Sequence, residues 1–309
     1  MAQHERPTPR SVMHRRRSVG IVGASGFLGR RLTAEWVLSG ADVRCLVRSH
    51  MRGVASGATS VICDLEGRRS VVDALRGLDV AYYLVHAMAD GGGFAARDRR
   101  YARRFARAAR TAGVRRVVYV GGLAPSDGQL SAHLASRTEV GMLLMRGCDA
   151  LVVRAGVIVG SGSASWILLR DAALFPLALT PSWAETRCQP TGVDDLVLAL
   201  RRAADLDGGR VVDVGGREVL TYRSMVDRIA QLLGSRRLVL PAPFLPTKLA
   251  GLAASLITDV PLPLVRALVD SLPCESVCDG VTLYEEVGVR PRSFSTIVRR
   301  AIREDRRQG

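Results

Sequence analysis

Only one lysine occurs in this chain, Lys248, although lysine and arginine together number 44, so the net charge of +15 is carried almost wholly by arginine. A surplus of that size points to an anionic partner, while a coding bias towards arginine accounts for it equally well. Aromatic residues make up 5% of the chain. On the arginine-rich stretch from Phe94 to Ala112 the face that carries the arginines has no interleaved aromatics and no recognised motif, which argues against nucleic acid as the partner. No uninterrupted apolar run reaches the roughly 20 residues needed to cross a bilayer. The best candidate, Leu249–Leu272, is broken by Asp259, Arg266, Asp270 and the prolines Pro261 and Pro263. Nothing near the N-terminus has the form of a signal peptide, so a cytoplasmic chain with no integral membrane segment is expected. The six cysteines are scattered, as in a reduced protein. Cys274 and Cys278 stand as C-x-x-x-C with no histidine nearby, which makes a metal site improbable.

What is present is ample apolar material: 48% of 309 residues, enough for one large domain or two. Residues 1–17, with Arg15, Arg16 and Arg17, read as a disordered basic tail. The stretch Ser18–Leu32, SVGIVGASGFLGRRL, then reads as a buried strand, a glycine turn and the start of a helix over Phe27–Leu38. Its glycines Gly23, Gly26 and Gly29 are spaced to bring bare backbone up to a pyrophosphate and to aim helix N-terminal N–H groups at it. The alternating strands and helices that follow place the turn in a doubly wound, Rossmann-type parallel sheet.

A second strand, Asp42–Arg48, ends on a basic residue. An acid there suits the ribose diol of NAD and an arginine suits a 2′-phosphate, so Arg48 argues for NADP over NAD; a plain solvated arginine is the competing account. Arg30 and Arg31 could add to that phosphate pocket. A third strand, Thr59–Cys63, ends at Asp64, either an acceptor for the adenine amino group or an ordinary turn residue. Val80–Met88 reads as a central strand whose end carries His86 towards the cofactor. From Phe94 to Ala112 a helix buries Phe94, Tyr101, Ala102, Phe105 and Ala109 and turns Arg100, Arg103, Arg104, Arg107 and Arg110 to solvent. Asp98 falls on its apolar side and needs a buried partner. Arg116–Val120 forms a fifth strand, running into Gly121 and Gly122.

These segments carry a resemblance. GASGFLG at Gly23–Gly29, LVR at Leu46–Arg48, AYYLVHAM at Ala81–Met88, VVYVGGL at Val117–Leu123, SAHLASRTEVG at Ser131–Gly141, RAGVIVGSGSAS at Arg154–Ser165 and QPTGVDDL at Gln189–Leu196 are similar to the short-chain dehydrogenase superfamily. The match lies in its atypical and extended branches, near the NmrA-like NAD(P)-binding proteins, and the second half resembles a little-characterised bacterial subgroup. The resemblance implies a serine after the fifth strand and a tyrosine four residues before a lysine. Here the serine position holds Gly121 or Gly122, and no Y-x-x-x-K occurs.

The helix that should carry the pair offers His133 and Arg137 at the same spacing on one face. His133, with an ordinary pKa near 6.5, is the candidate general acid. Arg137 can bind ribose hydroxyls but cannot shuttle a proton. The expected cofactor contacts are Gly23, Ser25, Gly26, Phe27, Leu28, Gly29, Arg48, Asp64, Leu65, His86 and Gly121.

Downstream, Arg154–Val159 reads as a sixth strand, its RAG turn standing where extended members have R-P-G, at the rim of the substrate pocket. Gly160–Ser165 opens a helix over Trp166–Leu174 whose N-terminus could receive an anion. Asp194 or Asp195 caps a helix over Leu196–Ala204, Arg210–Gly215 is a further strand, and Thr221 caps a helix through Leu233. Pro241–Leu272 suits a lid or packing surface over an apolar substrate, and Phe294–Arg303 is the last helix. The expected organisation is a cofactor domain over 18–216, with 161–187 contributing to the cleft, and a small, mostly helical lobe over 217–309. Two functions of different class fit: an NAD(P)H-dependent oxidoreductase on an apolar carbonyl or quinone-like substrate, or a non-catalytic dinucleotide-binding redox sensor or assembly subunit.

Overall fold

In chain order the computed structural model runs β1 (Ser18–Val22), α1 (Phe27–Leu38), β2 (Asp42–Val47), β3 (Ala58–Ile62), α2 (Arg68–Leu75), β4 (Val80–Tyr83), α3 (Phe94–Thr111), β5 (Arg116–Gly122), α4 (Ala132–Gly147) and β6 (Ala150–Ala155). It continues through β7 (Ile158–Val159), α5 (Ala164–Leu174), β8 (Leu177–Thr180), β9 (Arg187–Cys188), β10 (Thr191–Gly192), α6 (Val193–Ala203), β11 (Arg210–Val214), β12 (Leu220–Thr221), α7 (Tyr222–Leu233), β13 (Leu238–Pro241), α8 (Thr247–Ile257), α9 (Leu262–Val269), α10 (Leu283–Glu286) and α11 (Phe294–Gln308). The described residues are 16–49, 55–86, 93–125 and 130–308. Residues 1–15 of the expected tail, and Ala87 and Met88 of the expected fourth strand, lie outside them.

Seven strands form one parallel sheet in the order β11-β6-β5-β4-β1-β2-β3. The order reverses between β1 and β4, the place where such sheets open a crevice at the carboxyl ends of their strands. Adjacent tyrosines show the pleat: Tyr82 turns to the face covered by α1 and α6, donating its hydroxyl to the Leu200 carbonyl at 2.8 Å. Tyr83 turns to the face covered by α2, α3 and α4, its ring centroid 4.9 Å from that of Phe105. Burial on both faces is why these strands read as near-continuous apolar runs.

Asp98 is buried on α3 and accepts from the Ser136 hydroxyl of α4 at 3.5 Å, the kind of partner its position required. The solvent-side arginines do more than meet water. Arg104 donates to the Leu65 carbonyl and Arg100 pairs with Glu66, which ties the loop after β3 to α3.

Three expectations need correction. Arg17 is part of the fold: its carbonyl accepts from the Asp42 amide at 2.9 Å and its guanidinium pairs with Asp205. The sixth strand starts earlier than expected, because β6 pairs with β5 from Ala150; the chain then breaks at Gly156 and Val157 before β7. Residues 217–309 form a mostly helical region as expected, from which Leu283, Tyr284 and Val289 return to the main core.

Asp194 and Asp195 lie inside the first turn of α6, whose N-cap is Gly192 with no side-chain bond. Their carboxylates reach instead to the C-terminal segment: Asp195 accepts from the Arg292 amide at 2.9 Å and pairs with its guanidinium, and Asp194 pairs with Arg300. Thr221 does cap α7, in a reciprocal box with Ser224.

Candidate functional site

The glycine turn sits at the switch point between β1 and β4. Gly23 has φ +86°, and a Cβ there would lie 2.8 Å from the Leu84 carbonyl oxygen of the β4 edge. A Cβ on Gly29 would lie 2.2 Å from the Gly23 carbonyl oxygen, so close packing of helix on turn requires that glycine. Gly26 is different. Its Cβ would meet only the Gly23 carbonyl oxygen, at 3.3 Å, so the chain itself barely forbids a side chain, and the glycine keeps clear the space in front of the turn.

Helix α1 starts at Gly26 with no side-chain cap and no acid in its first turn, leaving its leading N–H groups for an external anion. This cradle fits a dinucleotide diphosphate. Ser25 is exposed on the turn and Leu28 packs into the core beneath it.

At the neighbouring strand ends, Arg48 is exposed just past β2 and makes no ion pair among the described residues. Asp64 accepts from the Glu66 amide at 2.9 Å through one carboxylate oxygen, so it holds a turn with its second oxygen to spare, and Leu65 is buried beside it. Arg30 stays on the glycine turn, whereas Arg31 is engaged elsewhere than in a phosphate pocket. Arg30 donates to the Ser25 carbonyl, while Arg31 lies over the Phe27 ring, donates to the Ser161 carbonyl at 2.7 Å and pairs with Glu304.

Past β4 and β5 the structure gathers His86, Gly121, Gly122, His133 and Arg137. A Cβ on Gly122 would lie 2.6 Å from Leu134 Cδ2, so α4 closes over the place where a serine would stand. Arg137 donates from Nη2 to the Val120 carbonyl at 2.8 Å. His133 Nδ1 is buried without a hydrogen-bond partner among the described residues. Burial, with the Arg137 charge beside it, pushes the His133 pKa down to about 3, and burial holds His86 well below the usual imidazole range, again with Arg137 and His133 adding to the effect. The imidazole of His133 is therefore uncharged at neutral pH. It can make a hydrogen bond but cannot act as the imidazolium acid expected from its ordinary pKa.

Beside this group opens a cleft of about 740 Å³. Its inner end is Phe27, Gly121, Gly122, His133 and Arg137, and its walls are aliphatic: Leu168 and Leu169 of α5, Val226 of α7, Ala250 and Ala254 of α8, Leu264 and Leu268 of α9. At the far side, Arg237 is locked to Asp227 and to the Ala172 carbonyl. The RAG turn lies at the rim as expected, through Ala155 and Gly156, while Arg154 itself forks onto Asp213 at 2.6 and 2.9 Å. The N-terminus of α5 is capped by its own Ser163, whose hydroxyl accepts from the Trp166 amide, and so is not left for an anion.

The α5 wall falls within 161–187, the stretch expected to contribute to the cleft, whereas sequence reasoning did not single out the α7 wall at Val226.

Residues 23–146 match the model of a family described as NAD(P)H-binding, a segment that holds the glycine turn, the ends of β4 and β5, and the His133–Arg137 pair. No curated protein matches the chain in sequence. Solved structures share its fold. A nucleoside-diphosphate-sugar epimerase from Staphylococcus aureus superposes with a TM-score of 0.72 at 13% identity over 91% of this chain and 99% of its own. UDP-glucose 4-epimerase from Thermotoga maritima, solved with UDP-glucose, gives 0.72 at 14% over 94% and 99%. The NADPH-dependent quinone oxidoreductase of Escherichia coli, solved with NADPH, gives 0.72 at 20% over 91% and 98%. The family match covers the cofactor half of the chain, and the solved structures share its fold.

Proposed function

We propose that this chain is an NADPH-dependent oxidoreductase that reduces an apolar carbonyl or quinone-like compound. The observation that carries this reading is the continuity between the glycine turn and an aliphatic cleft, joined at Phe27, with His133 and Arg137 at the shared end. The nicotinamide supplies a hydride when bound. Gly23, Gly26 and Gly29 would hold the diphosphate, Arg48 would pair with the 2′-phosphate and so favour NADP over NAD, and Arg137 would meet the ribose hydroxyls. Neutral His133 orients the substrate oxygen through a hydrogen bond at Nδ1, and the proton that completes the reduction comes from water.

Among the fold neighbours, the quinone oxidoreductase suits such a cleft better than the sugar-nucleotide epimerases. Walls of leucine, valine and alanine offer few partners for sugar hydroxyls. Steady-state NADPH oxidation against a panel of quinones, ketones and enones tests the reading. Turnover is expected with apolar quinones, and His133→Ala should lower kcat by about tenfold to a hundredfold, the worth of one buried hydrogen bond to the reacting oxygen. Tight NADPH binding with no turnover across the panel would replace it with the non-catalytic, dinucleotide-sensing role, which the glycine at the serine position and the absent lysine favour.

A further inference from the structure

The outer face of the cleft is unusually apolar for a water-exposed surface. Beyond its first turn helix α8 is apolar except for Ser255: Ala250, Ala254 and Ile257 line the cleft, Gly251 packs against α9, and Leu249, Leu252, Ala253 and Leu256 form an exposed stripe at i, i+3, i+4 and i+7. Leu256 is 82% exposed and Phe244, in the turn before the helix, 94%. Next to it, β8 and β13 pair as a two-stranded ribbon in which Leu177, Leu179, Leu238, Val239 and Leu240 are all exposed. The ribbon and helix are one surface, because the turn between them is pinned to the ribbon's other strand: Trp183 Nε1 donates to the Leu245 carbonyl at 2.9 Å and the Ser182 amide to that of Pro243. Leu177, Leu179 and Leu256 line the cleft as well, so the cleft opens through this face.

Charge selects the occupant. From Arg228 to Thr258 the chain has no carboxylate. Arg236 and Lys248 are exposed there, with Arg266 across from them on α9, and none of the three makes an ion pair among the described residues. The flanking acids are spoken for or lie at the margin: Asp227 pairs with Arg237, Glu185 with Arg223, and Asp259 and Asp270 stand at the two ends of α9. Two copies face to face would bring these cations together and are disfavoured by repulsion. No helix among the described residues is long and apolar enough to cross a membrane, and α8, at about 16 Å, reaches only half of a bilayer core of about 30 Å.

We infer that this face docks on the surface of an anionic lipid bilayer, with α8 and the β8–β13 ribbon lying in the headgroup boundary and the cleft mouth open to the acyl region. The cleft then draws its ligand from the lipid phase. Docking itself is independent of whether that ligand is reduced.

Flotation of the full chain with phosphatidylcholine vesicles, with and without phosphatidylglycerol, tests the inference. The protein should float with the phosphatidylglycerol vesicles and stay behind with phosphatidylcholine alone. Leu249→Glu with Leu252→Glu, or Arg236→Glu with Lys248→Glu, should each weaken partitioning by at least about tenfold while NADPH binding, read by fluorescence, is unchanged. Failure of the wild type to float with either vesicle, or flotation of both double variants as well as the wild type, would overturn it. So would a wild-type dimer in analytical ultracentrifugation that dissociates in the leucine variant, which would assign the face to a second copy. NADPH oxidation in detergent micelles reads the catalytic proposal separately, since it needs no bilayer.

Discussion

Arg137 stands one helical turn beyond His133, its guanidinium held 2.8 Å from the Val120 carbonyl, and its charge helps to keep the neighbouring buried imidazole neutral. The superfamily resemblance implies a tyrosine and a lysine at this spacing. A lysine there would lower its partner's pKa, and Arg137 lowers that of His133 in the same sense; what differs is the partner, a buried imidazole that is left without the proton an acid would give.

Stability should therefore fall with acid through His133. Its folded pKa, about 3, lies below the unfolded value near 6.5, so the unfolded chain binds more protons between those limits. The contribution is complete above about pH 6.5 and is lost as pH falls towards 3. Urea melts at pH 7 and pH 5 should show wild type losing about 1–2 kcal/mol more than His133→Gln; equal losses in both proteins would refute the assignment.

The three glycines should separate by mechanism. Gly29→Ala drives a Cβ against backbone and should cost about 2–3 kcal/mol. Gly26→Ala meets only one mildly crowded contact and should cost less than about 1 kcal/mol, while still weakening NADPH binding by about tenfold or more by filling the cradle. Thermal melts paired with fluorescence titration read both.

Arg48→Ala should raise the Kd for NADPH by about tenfold, the worth of one exposed charge-assisted contact, and leave that for NADH unchanged. An equal loss for both cofactors, seen by titration, would show that Arg48 does not read the 2′-phosphate.

The acids of α6 should differ in worth. Asp195 is buried and serves both the amide and the guanidinium of Arg292, so Asp195→Ala should cost about 2–3 kcal/mol. Asp194 is partly exposed beside Arg300, and its replacement should cost less than about 1 kcal/mol. Denaturant melts at neutral pH decide, and the opposite ranking would contradict the structure.

Elements whose signals are local were legible in the sequence. The run of α1 from Phe27 to Leu38 follows from the glycine turn before it and Gly40 after it, and α7 follows from the Thr221 cap. Features set by distant partners were not. The stretch LVVRAGVIV is apolar apart from Arg154, so only its pairing with β5 shows that the strand starts at Ala150 and breaks at Gly156. Asp194 and Asp195 look like caps because nothing nearby in sequence announces Arg292 and Arg300. The charge state of His133 depends on burial under the cleft, which no spacing within α4 encodes, and Arg31 turns to Ser161 and Glu304, partners far away in sequence.

Phe27 opens the helix of the cofactor turn and also closes the inner end of the cleft, braced by Arg31 against Ser161. A ligand on either side that shifts this ring changes the free energy of binding on the other, and thermodynamic reciprocity makes the two effects equal. The affinity for dinucleotide then reports on what fills the cleft, whether or not any hydride is ever transferred.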